Sequence, residues 1–234
     1  MRLASNAGRT ATVFAAGLLG FGVTWVAVPS ATASGPTCDG VKATIVSSKS
    51  VIRGTSHRDV IVVRGTGHHT VLAGAGNDLI CDNGSSDTID AGRGRDTVFG
   101  NGGSDRINGG LGDDELHGGS GRDIVNGGGG NDDINGDGGD DVVSGSTGDD
   151  DVNGGAGNDI VNGGSGDDTI AGDDGDDALE GGSGHDTVSG GNGDDTISSD
   201  DGEDVVDSGP GTDDVDHHGD EDSVTPTPAP SVTP

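Results

Sequence analysis

Tyrosine is absent from this 234-residue sequence, and Trp25, Phe14, Phe21 and Phe99 are its only aromatic residues. Three of these four lie within the first thirty residues, so Phe99 alone is available to whatever follows. Positive charge is equally scarce: 11 Lys and Arg stand against 42 Asp and Glu, a net charge of −31. A chain this acidic and this poor in aromatics cannot build a broad globular core, and its composition alone would place it among disordered proteins. The acidity also argues against nucleic acid and anionic membrane as partners. Catalytic signatures are missing too. There is no Gly-x-Ser-x-Gly elbow and no Cys-x-x-Cys pair, and nothing outside the glycine-rich stretch is long enough to enclose an active site, so an enzyme is not expected.

Hydrophobic runs are confined to the N-terminus. Arg2 and Arg9 precede a mostly apolar stretch from Ala11 to Val28, and Ala31-Thr32-Ala33 forms an A-x-A cleavage site. Residues 1–33 therefore read as a secretory signal peptide, with a membrane anchor as the weaker alternative because Pro29 and small residues follow the run. Cleavage would leave no membrane span and a secreted, extracellular chain with nine basic against 42 acidic residues, a charge of −33. Only two cysteines remain, Cys38 and Cys81. In an exported chain they are most simply one disulfide.

What the sequence does have is glycine, 50 residues of it, in strict register. Gly154-Gly155-Ala156-Gly157-Asn158-Asp159-Ile160-Val161-Asn162 is followed at once by Gly163-Gly164-Ser165-Gly166-Asp167-Asp168-Thr169-Ile170-Ala171. This nine-residue unit, Gly-Gly-x-Gly-x-Asp-x-aliphatic-x, runs without a slip through sixteen copies from Ala73 to Asp216. Its sixth position is always aspartate: Asp78, Asp87, Asp96, Asp105, Asp114, Asp123, Asp132, Asp141, Asp150, Asp159, Asp168, Asp177, Asp186, Asp195, Asp204 and Asp213. Its eighth position, from Ile80 to Val215, is always Ile, Val or Leu. Disorder has no reason to keep either register, and a fixed period of this length signals a repeat architecture.

The glycine-rich hexapeptide of each unit is expected to turn tightly and the next three residues to form a short strand. The second position is Gly ten times and otherwise Asn83, Asn101, Asp137, Ser146, Asp173 or Asp200. All but the serine are residues that tolerate a left-handed backbone. Units this brief cannot pair as hairpins but can wind as a parallel coil with two units per turn. Sixteen units give eight turns, roughly 38 Å of stack at ~4.8 Å per strand. The eighth-position aliphatics would face inward from two sheets as a thin core. One such side chain per nine residues is too little to offset the entropy of ordering the chain, so the ligand-free repeats are expected to be largely unfolded.

A two-unit turn stacks aspartates eighteen apart. Asp78, Asp96, Asp114 and their successors form one column, and Asp87, Asp105, Asp123 and theirs a second. Columns of carboxylates framed by bare turn carbonyls are rows of hard oxygen donors, which favour Ca²⁺ over Mg²⁺ or Zn²⁺. With each ion between loop n and loop n+2, sixteen loops offer at most fourteen sites. Fourteen divalent ions nearly cancel the charge of the cleaved chain. An EF-hand loop starting at Asp149 fails, since its twelfth position is Ile160. His68-His69 and His217-His218 are read as exposed polar pairs rather than transition-metal ligands.

The motif resembles the RTX, or haemolysin-type, calcium-binding repeat, and the resemblance covers about 144 of the 234 residues. It implies an all-β fold, a parallel β-roll, with calcium held between turns by the sixteen sixth-position aspartates and by backbone carbonyls of the glycine-rich loops. Around this array, residues 34–72 read as a degenerate N-terminal cap, with strand-like runs at Ala43–Val46 and Val60–Val63, and 217–234 as a disordered acidic then Pro/Thr-rich tail. All nine basic residues of the cleaved chain lie at or before Arg122. The cap and first repeats are therefore expected to order before the acidic half. The functional expectation is a secreted calcium-binding protein that folds on meeting extracellular calcium. A calcium-stiffened adhesin or matrix module with an unidentified surface partner is the second reading.

Overall fold

The computed structural model describes residues 37–216 and the strand Ser223–Val224; the expected signal peptide and the rest of the tail lie outside the described residues. The described chain is all-β. Its strands alternate between a ten-stranded and an eleven-stranded sheet, both parallel, so that each strand pairs with its second neighbour in sequence. Ile124–Gly129 pairs with Val142–Thr147, while the intervening Asp133–Gly138 pairs with Asp151–Ala156 in the other sheet. Partners are eighteen residues apart, as in Val125↔Val143 and Ile134↔Val152. This is the expected parallel β-roll with two nonapeptides per turn.

The core is the file of eighth-position side chains. Each lies between two outward-facing neighbours, as the period of a strand requires, and those from Ile80 to Val206 are all buried. Val215 closes the file, half-buried, and Ile45, Ile52, Ile61, Val63 and Val71 extend it into the cap.

Strands are longer and turns shorter than the motif suggested. In the regular units the ladder runs for six residues, as in Ile160–Ser165, and only the fourth to sixth positions turn. The glycines at the first three positions are thus mostly strand residues. Left-handed second positions account for this, because in parallel register they stack on one another, as in Gly110↔Gly128. The non-glycine substitutes follow suit: Asn101, Asp137, Ser146, Asp173 and Asp200 all have φ between 64° and 80°. Ser146, the residue least expected to comply, does so, whereas Asn83 is not among the positive-φ residues.

The cap belongs to the same two sheets. Strands Ile45–Ser47 and Val60–Val63 lead the larger one, Val51–Arg53 leads the smaller, and Thr70–Ala75 runs unbroken across the expected boundary at 72. Its register is looser, with Ile45↔Ile61 sixteen apart and Val60↔Leu79 nineteen apart. Ahead of it a small hairpin, Thr37–Cys38 with Val41–Lys42, turns through Asp39 and Gly40, both at positive φ. Ser223–Val224 adds a last strand beside Val205–Asp207, so pairing continues beyond Asp216.

The expected disulfide is present. Cys38 and Cys81 are bonded across 43 residues, and Cys38 packs with Val60 and Leu79 while Phe99 borders the same cluster. This second, external core fastens the hairpin to the outside of the larger sheet. Replacing both cysteines by serine is expected to lower the unfolding free energy of the calcium-loaded protein by about 3–4 kcal/mol, the loop-entropy value for a closure of this length. Denaturant titration with and without reductant measures it; a change below about 1 kcal/mol would show that the hairpin is held by its packing alone. Among the described residues, no helix is long and apolar enough to cross a membrane.

Candidate metal centre

The turn glycines bring each sixth-position aspartate to the end of its strand with its side chain folded inward. From Asp78 to Asp204 these aspartates are at least 97% buried. The two expected columns form. Asp132 shows how tightly each member is wired. Its N–H donates to Asp150 Oδ1 at 2.8 Å, and its Oδ1 accepts from the N–H of Asp114, also at 2.8 Å. Its carbonyl accepts from the N–H of Asp151 at 2.8 Å. The same side-chain link repeats along both columns at 2.7–3.2 Å, from Asp78–Asp96 to Asp195–Asp213.

Oδ2 is left over. At every sixth position from Asp78 to Asp195, fourteen in a row, Oδ2 is buried without a hydrogen-bond partner. Burying an ionised carboxylate oxygen with nothing to bind is costly. From Asp105 to Asp195 each Oδ2 faces the first-position glycine of its own unit, in most units together with the first-position carbonyl one turn on. A Cβ placed on Gly127 would lie 2.3 Å from Asp132 Oδ2 and 2.9 Å from the Gly145 oxygen. On Gly163 it would lie 2.6 Å from both Asp168 Oδ2 and the Gly181 oxygen. Glycine here keeps side-chain atoms out of a space bounded by oxygens.

Electrostatics point the same way. Burial, opposed by the hydrogen bond from the preceding column member, pushes Asp96, Asp150, Asp177 and Asp186 up to about 6 and Asp105, Asp114 and Asp141 up to about 7. Like charges along the column add to the rise. The columns thus call for positive charge, and the donors are hard oxygens throughout, which suits calcium.

A family comparison bears on the same residues. The model of the RTX calcium-binding nonapeptide repeat matches residues 65–98, 82–116, 108–143, 144–179 and 180–215. The chain belongs to the RTX calcium-binding repeat family. Comparison with curated proteins gave no match. RTX nonapeptide repeats bind calcium, and the buried carboxylates of this RTX chain fit that ion by their unpartnered oxygens, their glycine-bounded cradles and their donor chemistry.

Three features of this RTX structure were not foreseen. Asp59 heads the first column, its N–H donating to Asp78 Oδ1 at 2.7 Å, and its own carboxylate is satisfied within the protein. Asp59 Oδ2 accepts from the Thr55 N–H at 2.7 Å and from Thr55 Oγ1 at 2.9 Å. In the cap, the Thr55 amide and hydroxyl thus partner the oxygen that stays unpartnered in the repeats. The nineteen-residue offset of Asp59 from Asp78, against eighteen within the repeats, kept it out of the column when read from sequence. His69 heads the second column: rather than being exposed, it is 6% accessible, with Nδ1 3.2 Å from Asp87 Oδ1. Fifth positions form an exposed ladder of opposite polarity, as where Asp113 Oδ1, Asn131 Oδ1 and Asp149 Oδ1 accept from the amide one turn ahead. The recurrence of Asn, Asp and Ser at that position was its sequence signal. The last turns are less regular, with strands shortened to three residues at Thr196–Ser198 and Val205–Asp207.

Proposed function

We propose that this protein is a secreted calcium-binding protein whose repeats fold as calcium fills the two aspartate columns. The observation that carries the reading is the run of fourteen buried, unpartnered Oδ2 atoms in a chain of the RTX family. Bound calcium would supply the positive charge that lets the buried carboxylates stay ionised. The sixteen sixth-position aspartates donate side-chain oxygen, the first-position carbonyls frame each cradle, and the amide-to-Oδ1 links hold every carboxylate at a fixed height in the stack. Glycine at the first position from Gly100 to Gly190 makes those eleven units the best-formed cradles, while Ala73 and Ala91 narrow theirs. At most about fourteen ions are accommodated between loops n and n+2.

Residues 1–33 support export by a cleaved signal peptide, and residues 34–72 support a cap that needs no ion. An extracellular setting suits both, since the chain would cross the membrane uncharged by calcium and unfolded, then order outside. The test is far-UV circular dichroism of residues 34–234 during a calcium titration, with magnesium as control. A cooperative coil-to-β transition with calcium alone is expected. A chain equally β-rich in chelator at neutral pH would reduce calcium to an accessory.

A further inference from the structure

The first position of the nonapeptide is glycine eleven times in succession, from Gly100 to Gly190, and alanine in the units that begin at Ala73 and Ala91. Between those two stands Asp82, the one first position that carries a charge. Its Cβ takes up the space that glycine leaves open elsewhere and sends a carboxylate into the cradle of its own unit. There it meets two column members: ligand oxygens of Asp82, Asp87 and Asp105 all lie within 4.8 Å of one another. These residues are 6%, 3% and 1% exposed, and Oδ2 of each is buried without a hydrogen-bond partner. Asn83 Nδ2 reaches Asp82 Oδ1 only at 3.5 Å. Among the described residues no Lys or Arg pairs with any of the three; His69 Nδ1, 3.2 Å from Asp87 Oδ1, is the single basic group at hand.

We propose that Asp82, Asp87 and Asp105 form a distinct three-carboxylate calcium site that fills before the repeat sites. It rests on the calcium reading above and adds to it an order of filling. A regular cradle between loops n and n+2 has two column carboxylates beside a neutral first-position carbonyl, whereas this one adds a third carboxylate, that of Asp82. Calcium affinity rises with the charge of the ligand set and the rigidity of the site. Rigidity is supplied locally, because Asp82 follows the disulfide cysteine Cys81 directly and His69 and Asn83 tie the loop to the cap. Filling this site first would place the first ordered turn against the part of the chain that needs no ion, so the stack would grow from the capped end.

Asp82→Gly restores the repeat consensus and Asp82→Asn keeps the shape without the charge. Both are to be compared with Asp137→Gly, which removes the same charge from an exposed second position and also restores consensus. Calcium isothermal titration and equilibrium dialysis at neutral pH on the disulfide-bonded residues 34–234 should show one ion bound ahead of the cooperative phase in wild type and in Asp137→Gly. In both Asp82 variants that first step should weaken roughly tenfold or more, with later ions little changed. A first step unaltered or tightened by Asp82→Asn would overturn the proposal and leave a carboxyl–carboxylate pair sharing a proton. Cooperative calcium binding with no distinct first ion in wild type would overturn it as well, while leaving the repeat sites intact. Failure of wild type to bind calcium at all would overturn both readings.

Discussion

Without calcium, the repeats are expected to be β-structured at pH 4 and to lose that structure as the pH is raised to 7. Thirteen column carboxyls have their affinity for protons raised, in every case by burial before anything else. A carboxyl that titrates higher in the folded chain than in the unfolded one binds more protons when folded. Its contribution favours folding fully below the ordinary carboxyl value, near 3.9, and is lost as pH climbs through the folded value. For Asp96, Asp150, Asp177 and Asp186 that loss centres near 6, and for Asp105, Asp114 and Asp141 near 7. Three exposed carboxyls move the other way, Asp113 through Arg95, Asp140 through the Asn158 amide and Asp167 through the His185 amide, but solvent screens them. Protons and calcium should therefore compete for the same oxygens. Circular dichroism against pH in chelator checks the first statement. Calorimetric calcium titration in two buffers of different ionisation heat checks the second, with proton release expected near pH 6. A ligand-free chain that gains β-structure as pH rises would contradict both.

Gly139→Ala is expected to cost about 3–5 kcal/mol in saturating calcium, and its neighbour Gly138→Ala less than about 0.5. Gly139 has φ 139°, and a Cβ there would stand 1.7 Å from the Gly121 carbonyl oxygen. Both clashing groups are backbone locked into ladders one turn apart, so neither can move without parting the turns. Gly138 has nothing within 4 Å of its would-be Cβ. The pair isolates the fourth-position requirement from any general effect of losing glycine. Denaturant titration of both variants, with hydrogen exchange to locate the break, measures it; equal costs would mean that the stack yields at its turns.

The period made most of this legible. Strict spacing of Asp and of Ile, Val or Leu was enough to read the parallel winding, the two-unit turn, the inward file and the two columns, because in a solenoid each residue's neighbours are fixed by its distance in sequence. Strand length was misread because glycine was taken as turn chemistry, whereas here it serves close parallel approach. His69 was misread as exposed, and Asp59 was not placed at the head of its column, because the cap breaks the period by one residue. Asp82 was visible as a departure from glycine, but its meaning depends on which oxygens lie across the cradle, and that is a three-dimensional fact.

Pairing every strand with its second neighbour also governs how such a chain can change in length over evolutionary time. Losing or duplicating eighteen residues, say 124–141, would leave each later strand in its own sheet, with aspartate under aspartate and the outer ladder Ile124, Val142, Ile160 in phase. Losing nine would keep the core but move all that follows to the opposite sheet, setting that aliphatic ladder in line with the acidic one of Glu115, Asp133 and Asp151. Genes for chains of this kind should accordingly grow and shrink most freely in even numbers of nonapeptides.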